Sequence, residues 1–207
     1  MQASWRQDAD KLTFIICVLP LVSSPTATET CNTGHLQIPP LVTSGKDDAP
    51  EHMIGDVNLF LYPCDEEGNG EDEDEIVVGE LEIMIARAEA RGNGLAREAL
   101  QAFMWYVMDS LPAVLEEYTR GCGSSKKRPN RLSYLRVKID KDNTRSLGLF
   151  ETLGFCRVSE PNYFGEVELR LEIGEKKRTS MDAEDKEASC SARKLSYGHA
   201  SDEDGSN

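Results

Sequence analysis

Two rhythms of apolar and polar positions run along this chain, a period of two in several short runs and a helical period in two longer ones. Leu12 to Leu19 is a β-branched and aromatic run ended by Pro20, which predicts a strand, and Met1 to Lys11 before it reads as the end of a helix. Ile54 to Tyr62 and Ile76 to Ile85 predict two further strands, joined as a hairpin with a long tip. In Glu80-Leu81-Glu82-Ile83-Met84-Ile85 the alternation sends Leu81, Ile83 and Ile85 to one face and Glu80, Glu82 and Met84 to the other, so two carboxylates share one side of a strand. Leu95, Ala99, Phe103 and Val107, joined by Leu100, Met104, Met108 and Leu111, then recur at helical spacing up to Pro112.

Beyond Pro112 the pattern resumes at Leu132 to Ile139, where Ser133, Leu135, Val137 and Ile139 alternate with Tyr134, Arg136 and Lys138. Asp142 and Asn143 offer a cap, Leu147, Phe150 and Leu153 an apolar stripe, and Gly154 a stop, which predicts a short helix. Phe155 to Val158 and Phe164 to Ile173 predict the last two strands; in the second, Val167, Leu169, Leu171 and Ile173 alternate with Glu166, Glu168, Arg170 and Glu172, as a sheet with one wet face requires.

Between these elements lie polar excursions. Residues 20–50 hold five prolines among Ser, Thr and Gly and read as a loop insertion. Residues 63–75 form a second insertion, and Asp65 to Glu75 carries eight acids with no base, a composition that favours solvation over packing. Gly121 to Arg131 reads as a flexible basic loop. Order is expected to stop near Gly174, because residues 175–207 have eight acids, six bases and few large apolar side chains to offset the entropy of folding. The expected organisation is one domain over 1–173, with 174–207 a disordered tail.

Composition removes several function classes. The 207 residues include 37 acidic and 23 basic side chains, a formal net charge of −14 that repels nucleic-acid phosphates. The six cysteines, at 17, 31, 64, 122, 156 and 190, include no pair at chelating spacing, so no zinc site or other metal centre is written here. No run reaches the roughly 20 apolar residues of a membrane span. Leu12 to Val22, followed by Ser23-Ser24-Pro25-Thr26-Ala27, superficially resembles a secretion signal, but Asp8 and Asp10 cancel Arg6 and Lys11 and leave it no cationic flank. Free thiols in a cytoplasmic protein are the expectation, with a secreted, disulfide-bonded chain as the competing one.

The chemistry-bearing feature is the turn Arg91-Gly92-Asn93-Gly94-Leu95-Ala96. It follows a strand and opens a helix, placing free backbone amides, unshielded at the glycines, at the positive end of a helix dipole. Such a turn is an anion cradle. Two nucleotide-binding alternatives fail on spacing: Arg97 stands where a dinucleotide fingerprint needs its third glycine, and no Gly-Lys-Ser/Thr follows.

The pattern Arg91-x-x-Gly94-x-Ala96 after a strand resembles the acetyl-CoA pyrophosphate motif of the GNAT superfamily of N-acetyltransferases. Asn143-x-x-Ser146-x-x-Leu149-Phe150-x-x-x-Gly154-Phe155 resembles a second motif of the same superfamily, in the proper order. Ser4-Trp5, Asp8-Ala9-Asp10-Lys11, Thr13-Phe14-Ile15, Ile54 to Leu61 and Val167-x-Leu169-Arg170-Leu171 narrow the likeness to the eukaryotic N-acetyltransferase 9 subfamily, over roughly residues 1–19 and 53–173.

The resemblance implies an α/β fold with a mixed sheet, in which the strands ending near Ile85 and Ile139 splay apart to admit the pantetheine arm of acetyl-CoA. It places cofactor contacts at Ile83, Met84 and Ile85, at Arg91, Gly92, Asn93, Gly94, Leu95 and Ala96, and at Asn143, Ser146 and Phe150. A backbone amide of Leu81 to Ile85 would stabilise the charge that develops on the carbonyl oxygen. Glu82 or Glu80 would take a proton from the attacking amine, directly or through water. Asn143 and Ser146 either face the pantetheine arm or cap the helix. The acceptor would be an amine of a protein or peptide.

Two departures stand out. Many relatives have tyrosine where Phe150 stands, and phenylalanine cannot protonate a leaving thiolate, so solvent must. Relatives also begin with a strand and two helices, whereas this chain begins at the tail of the second helix; either the fold is N-terminally truncated or the strand at Leu12 to Leu19 is an exposed, association-prone edge. Both departures favour an alternative reading, a binding module of the same fold without turnover.

Overall fold

The computed structural model describes residues 8–18, 41–64, 75–121, 129–173, 192 and 194–198. The helix end expected before Lys11 falls largely outside them, as do the acid-rich tip at 65–74, the basic stretch at 122–128 and most of the two polar segments at 20–50 and 174–207. Where residues 8–10 are described they form a turn into the first strand, with the Lys11 amide donating to the Asp8 carbonyl.

The strands are β1 (Lys11–Cys17), β2 (Leu41–Thr43), β3 (Met53–Pro63), β4 (Glu75–Ile85), β5 (Pro129–Asp140), β6 (Cys156–Arg157), β7 (Glu166–Glu172) and β8 (Ser196–Gly198). The helices are α1 (Leu95–Asp109), α2 (Leu111–Gly121) and α3 (Thr144–Thr152), with a 3-10 turn at Ala88–Ala90. Six strands form one mixed sheet in the order β1-β3-β4-β5-β7-β6. β4 and β5 run parallel, and the other described neighbours in that sheet run antiparallel. A parallel pair needs a long crossover, and here α1 and α2 supply it.

One face of this sheet carries the core. Val57, Leu59 and Leu61 of β3, Val77 and Leu81 of β4, Val137 and Ile139 of β5 and Val167, Leu169 and Leu171 of β7 are buried together with Leu100, Phe103 and Val107 of α1, Leu115 and Tyr118 of α2 and Leu147 and Phe150 of α3. The alternate positions, Glu80 and Glu82, Arg136 and Lys138, and Glu168 and Arg170, stay at least partly accessible on the other face. That alternation was the sequence expectation for β4 and β7. β1 is fastened at the sheet edge by Leu12 and Ile16, which pack on the core, and by Phe14, whose ring meets those of Phe103 (5.3 Å) and Tyr106 (4.9 Å) edge to face. Each aromatic pair contributes about 0.5–1.5 kcal/mol beyond simple burial. The apolar run at Leu12 is thus part of the sheet.

Three features depart from expectation. The helical pattern does not end at Pro112: Ser110 closes α1, its amide donating to the Tyr106 carbonyl, and α2 starts at once with Pro112 in its first turn. Proline needs no amide donor there, so it opens this helix instead of ending one. In β5, Val77 pairs with Leu132 but Gly79 with Leu135, two steps on β4 against three on β5. This bulge lets Leu132 join Leu135 in the core, whereas unbroken alternation would send Leu132 to the face of Tyr134; Tyr134 lies on its expected face, packed with Val78 and Cys64. Finally, order does not stop near Gly174. β8 pairs in parallel with β2, Lys194 Nζ lies 2.5 Å from Asp109 Oδ2, and the Tyr197 hydroxyl donates to Asp48 Oδ2 at 2.6 Å. These contacts are few and specific, and the polar average over residues 174–207 conceals them.

Candidate functional site

Pairing between β4 and β5 ends at Glu80 and Arg136. Both strands nevertheless continue. β4 runs on against β3 as far as Ile85 opposite Gly55, and β5 runs on against β7 as far as Asp140 opposite Glu166. Leu81–Ile85 and residues 137–140 therefore each keep one strand neighbour and no longer pair with one another, leaving a gap in the sheet's ladder. β4 leaves the gap toward the N-terminus of α1, and β5 leaves it toward the N-terminus of α3.

The turn into α1 is built by its glycines. Gly92 and Gly94 both have φ +82°, a left-handed conformation that costs a residue with a Cβ about 1–2 kcal/mol. Gly94 is the N-cap and brings no side-chain acceptor, so the first amides of α1 are left open. Among the described residues, no carbonyl or side chain accepts from the amides of Gly92, Asn93, Gly94, Leu95 and Ala96. A Cβ on Gly94 would meet nothing within 4 Å.

Arg91 takes another place. Its Nε donates to the Ile85 carbonyl at 2.8 Å, its Nη2 to Ala86 at 3.1 Å and its own amide to Ala88. It braces the turn against the end of β4. Asn93 does similar work through Nδ2, which donates to the Glu89 carbonyl at 3.0 Å. Of the residues expected to meet pyrophosphate, Arg91 thus spends both its amide and its guanidinium inside the fold, and Gly92–Ala96 keep open amides.

The two glutamates of β4 differ. At the vertex, Glu80 Oε2 accepts from Arg136 Nε at 2.8 Å and lies 3.0 Å from Lys138 Nζ, with its side chain 13% exposed. Its carboxylate thus bridges two cations from β5. The Arg136 guanidinium also lies 5.3 Å from the centre of the Tyr62 ring, and burial together with the Glu80 carboxylate holds the Tyr62 hydroxyl above its usual pKa. Glu82 is exposed and makes no ion pair among the described residues. Opposite it in register stands Asn58, the buried polar residue of β3, whose Oδ1 accepts from Thr13 and whose Nδ2 donates to Asp56, each at 2.7 Å.

Along the same strand, Ile83 and Ile85 are half-buried toward the helices and Met84 is exposed on the Glu82 side. Across the gap, Asn143 caps α3 through Oδ1, which accepts from the Ser146 amide at 3.2 Å, and Ser146 is half-buried beside it. Phe150 is 3% exposed and stacks edge to face on Phe155 at 5.2 Å, so its ring belongs to the core. One residue that sequence reasoning passed over enters here. Arg145 in the first turn of α3 carries its guanidinium over the α1 turn, with Nη2 2.8 Å from the point a Gly92 Cβ would occupy. The available signal was a cation at a helix N-terminus, where the dipole opposes it.

A separate cleft of about 650 Å³ lies between β1 and α1, lined by Phe14, Ile16, Ala99, Phe103, Tyr106 and Leu195 among others. None of the candidate site residues of β4, the α1 turn or α3 lines it.

Residues 5–156 match the family model described as an Acetyltransferase (GNAT) domain, a span that includes both the Arg91–Ala96 turn and the Asn143–Phe155 segment. The N-acetyltransferase 9-like protein of Schizosaccharomyces pombe is 34% identical over 186 residues, 83% of this chain and 74% of that one. Alpha/beta-tubulin-N-acetyltransferase 9 of Homo sapiens is 32% identical over 177 residues, 84% of this chain but 62% of the human one. The chain thus spans less than two thirds of its human relative. Among solved structures, that of aminoglycoside acetyltransferase AAC(6')-Ib in complex with coenzyme A and kanamycin superimposes with a TM-score of 0.41 at 16% identity, covering 62% of this chain and 64% of that one.

Proposed function

The chain belongs to the acetyltransferase (GNAT) family, and from that premise we propose that it transfers an acetyl group from acetyl-CoA to an amine of a protein or peptide in the cytoplasm. The observation that carries this reading is the loss of pairing between β4 and β5 beyond Glu80 and Arg136, next to five unbonded amides at Gly92–Ala96. The gap offers an extended pantetheine arm two strand edges, at Leu81–Ile85 and residues 137–140, and the turn offers its diphosphate a ring of donors. The residues present therefore fit acetyl-CoA, which supplies the acetyl group as an activated thioester.

The protein's own work is to orient and to move a proton. In this reading the exposed Glu82 carboxylate takes a proton from the incoming amine, directly or through one water, which frees the nitrogen lone pair to form the C–N bond. A backbone N–H of Leu81–Ile85 facing the gap donates to the carbonyl oxygen as that atom gains charge. The C–S bond breaks, the nitrogen's remaining excess proton passes to solvent, and the departing thiolate takes its proton from solvent, since Phe150 is buried and has no hydroxyl. Glu80 holds the vertex through its two cations. A protein acceptor is supported by the name of the human relative, and a reducing compartment by the free thiols Cys17, Cys64 and Cys156.

Acetyl-CoA is expected to raise the melting temperature of the full chain saturably, and Gly94→Trp, which fills the cradle, is expected to abolish that rise. A folded wild-type protein with no such rise would overturn the reading. A second reading, a non-catalytic acyl-CoA-binding module, is favoured by the hydroxyl-free Phe150 and the committed Glu80. It predicts the same thermal shift with no acetyl transfer to a panel of protein and peptide amines.

A further inference from the structure

Arg145 is out of place by ordinary electrostatic rules. It sits in the first turn of α3, where the helix dipole repels a cation and where Asn143 already fills the cap. The chain has 37 acidic residues against 23 basic ones, yet among the described residues Arg145 has no carboxylate partner and no hydrogen bond. Its guanidinium lies instead over Gly92, with Nη2 2.8 Å and Cζ 4.0 Å from where that residue's Cβ would stand. A side chain at position 92 would displace it.

The arginines around this turn divide into two kinds. Arg87 and Arg91 donate to backbone carbonyls of Pro50, Ile85 and Ala86 and so act within the fold. Among the described residues the side chains of Arg97, exposed in the first turn of α1, and of Arg145 donate to nothing, and of these two Arg145 lies over Gly92. A planar guanidinium thus stands beside the open amides of Gly92–Ala96. The amide cradle satisfies one phosphate, and a guanidinium on its rim matches the oxygens of a second.

We propose that Arg145 is the second arm of the phosphate site and clamps the diphosphate of coenzyme A from the α3 side, opposite the amides of the α1 turn. The inference rests on the acyl-CoA reading above and adds a binding residue to it. It also gives position 92 a reason to be glycine beyond its backbone conformation: the guanidinium occupies the space a side chain would take.

The test is titration calorimetry on the full chain with coenzyme A and with 3′-dephospho-coenzyme A, comparing wild type with Arg145→Gln and Arg145→Lys. Arg145→Gln is expected to weaken both ligands by the same factor, about tenfold. Lysine, which keeps the charge without the fork, is expected to recover part of that loss. The unliganded melting temperatures are expected to coincide, because the side chain is exposed and unpaired. Equal affinities for wild type and Arg145→Gln would overturn the proposal, as would a loss confined to coenzyme A, which would put Arg145 on the 3′-phosphate. Failure of the wild type to bind either ligand would instead overturn the acyl-CoA reading on which the proposal stands.

Discussion

Glu80 and Arg136 occupy the last paired register position between β4 and β5, and the Arg136 Nε donates to Glu80 Oε2 at 2.8 Å. Sheet pairing and the ion pair therefore end at one place, and the gap begins there. With side chains 13% and 20% exposed, this pair lies between surface bridges worth under about 1 kcal/mol and buried ones whose rupture costs about 3–5. Glu80→Gln, which leaves Arg136 and Lys138 short of a carboxylate, is expected to cost about 1–2 kcal/mol in urea denaturation.

Glu82→Gln should behave differently. An exposed carboxylate with no ion pair contributes within about 0.5 kcal/mol to stability, whereas loss of a general base costs about a hundredfold or more in rate. The expected outcome is an unchanged urea midpoint, unchanged acetyl-CoA affinity and a kcat lower by that factor. An unchanged kcat would remove Glu82 from the chemistry.

Asn143 separates capping from ligand contact. Removing the Oδ1 acceptor in Asn143→Ala is expected to cost about 1 kcal/mol of stability. Asn143→Asp keeps an acceptor and is expected to restore the urea midpoint. Acetyl-CoA affinity is expected to stay low in Asn143→Asp, because the carboxylate has no Nδ2 donor and opposes the diphosphate. Full recovery of affinity would leave Asn143 a cap and nothing more.

The docking of β8 carries a pH signature. The Tyr197 hydroxyl and the Gly45 amide both donate to Asp48 and hold its pKa below the ordinary 3.8. A lowered carboxylate pKa adds stability above the ordinary value, and the contribution is lost as pH falls through it toward the lowered one. Hydrogen exchange at Ser196–Gly198 is expected to show constant protection, corrected for intrinsic rate, from pH 7 down to about 4. Below that it should decline. Tyr197→Phe should remove the larger share of that pH dependence and leave the parallel pairing with β2.

Thiol reactivity offers a further check on the β1 edge. Burial, aided by the Asp48 charge, pushes the Cys17 thiol up from its ordinary value of 9.0, whereas Cys156 is exposed on β6. At pH 8, iodoacetamide followed by peptide mass mapping should label Cys156 well before Cys17. Asp48→Asn is expected to quicken Cys17 only modestly, since desolvation is the larger cause.

Much of this site is legible from residue order because it is local. The alternation of Val167, Leu169 and Leu171 with Glu166, Glu168 and Arg170 predicts one wet face, and Gly92 and Gly94 before a helical stripe predict the open turn. What escapes is non-local or two-valued. Pro112 is written the same way whether it ends one helix or opens the next, and only the Ser110 carbonyl accepting from Ala113 and Val114 decides between them. The β5 bulge appears only against β4. Arg145 and Gly92 are far apart in sequence, as are Tyr197 and Asp48, and no short-range pattern pairs them.

The parallel junction also has a bearing on how the protein comes together. Glu80 and Arg136 stand 56 positions apart, and among the described strands of the large sheet theirs is the one boundary that no hairpin can close. Loop-closure entropy makes such a contact slow to form, after nearer pairings have already rewarded the chain. The seam that opens for a ligand is then also the seam that folding stitches last. A contact made that late lies beyond the folding transition state, so mutations at the vertex should register as faster unfolding, with refolding little changed.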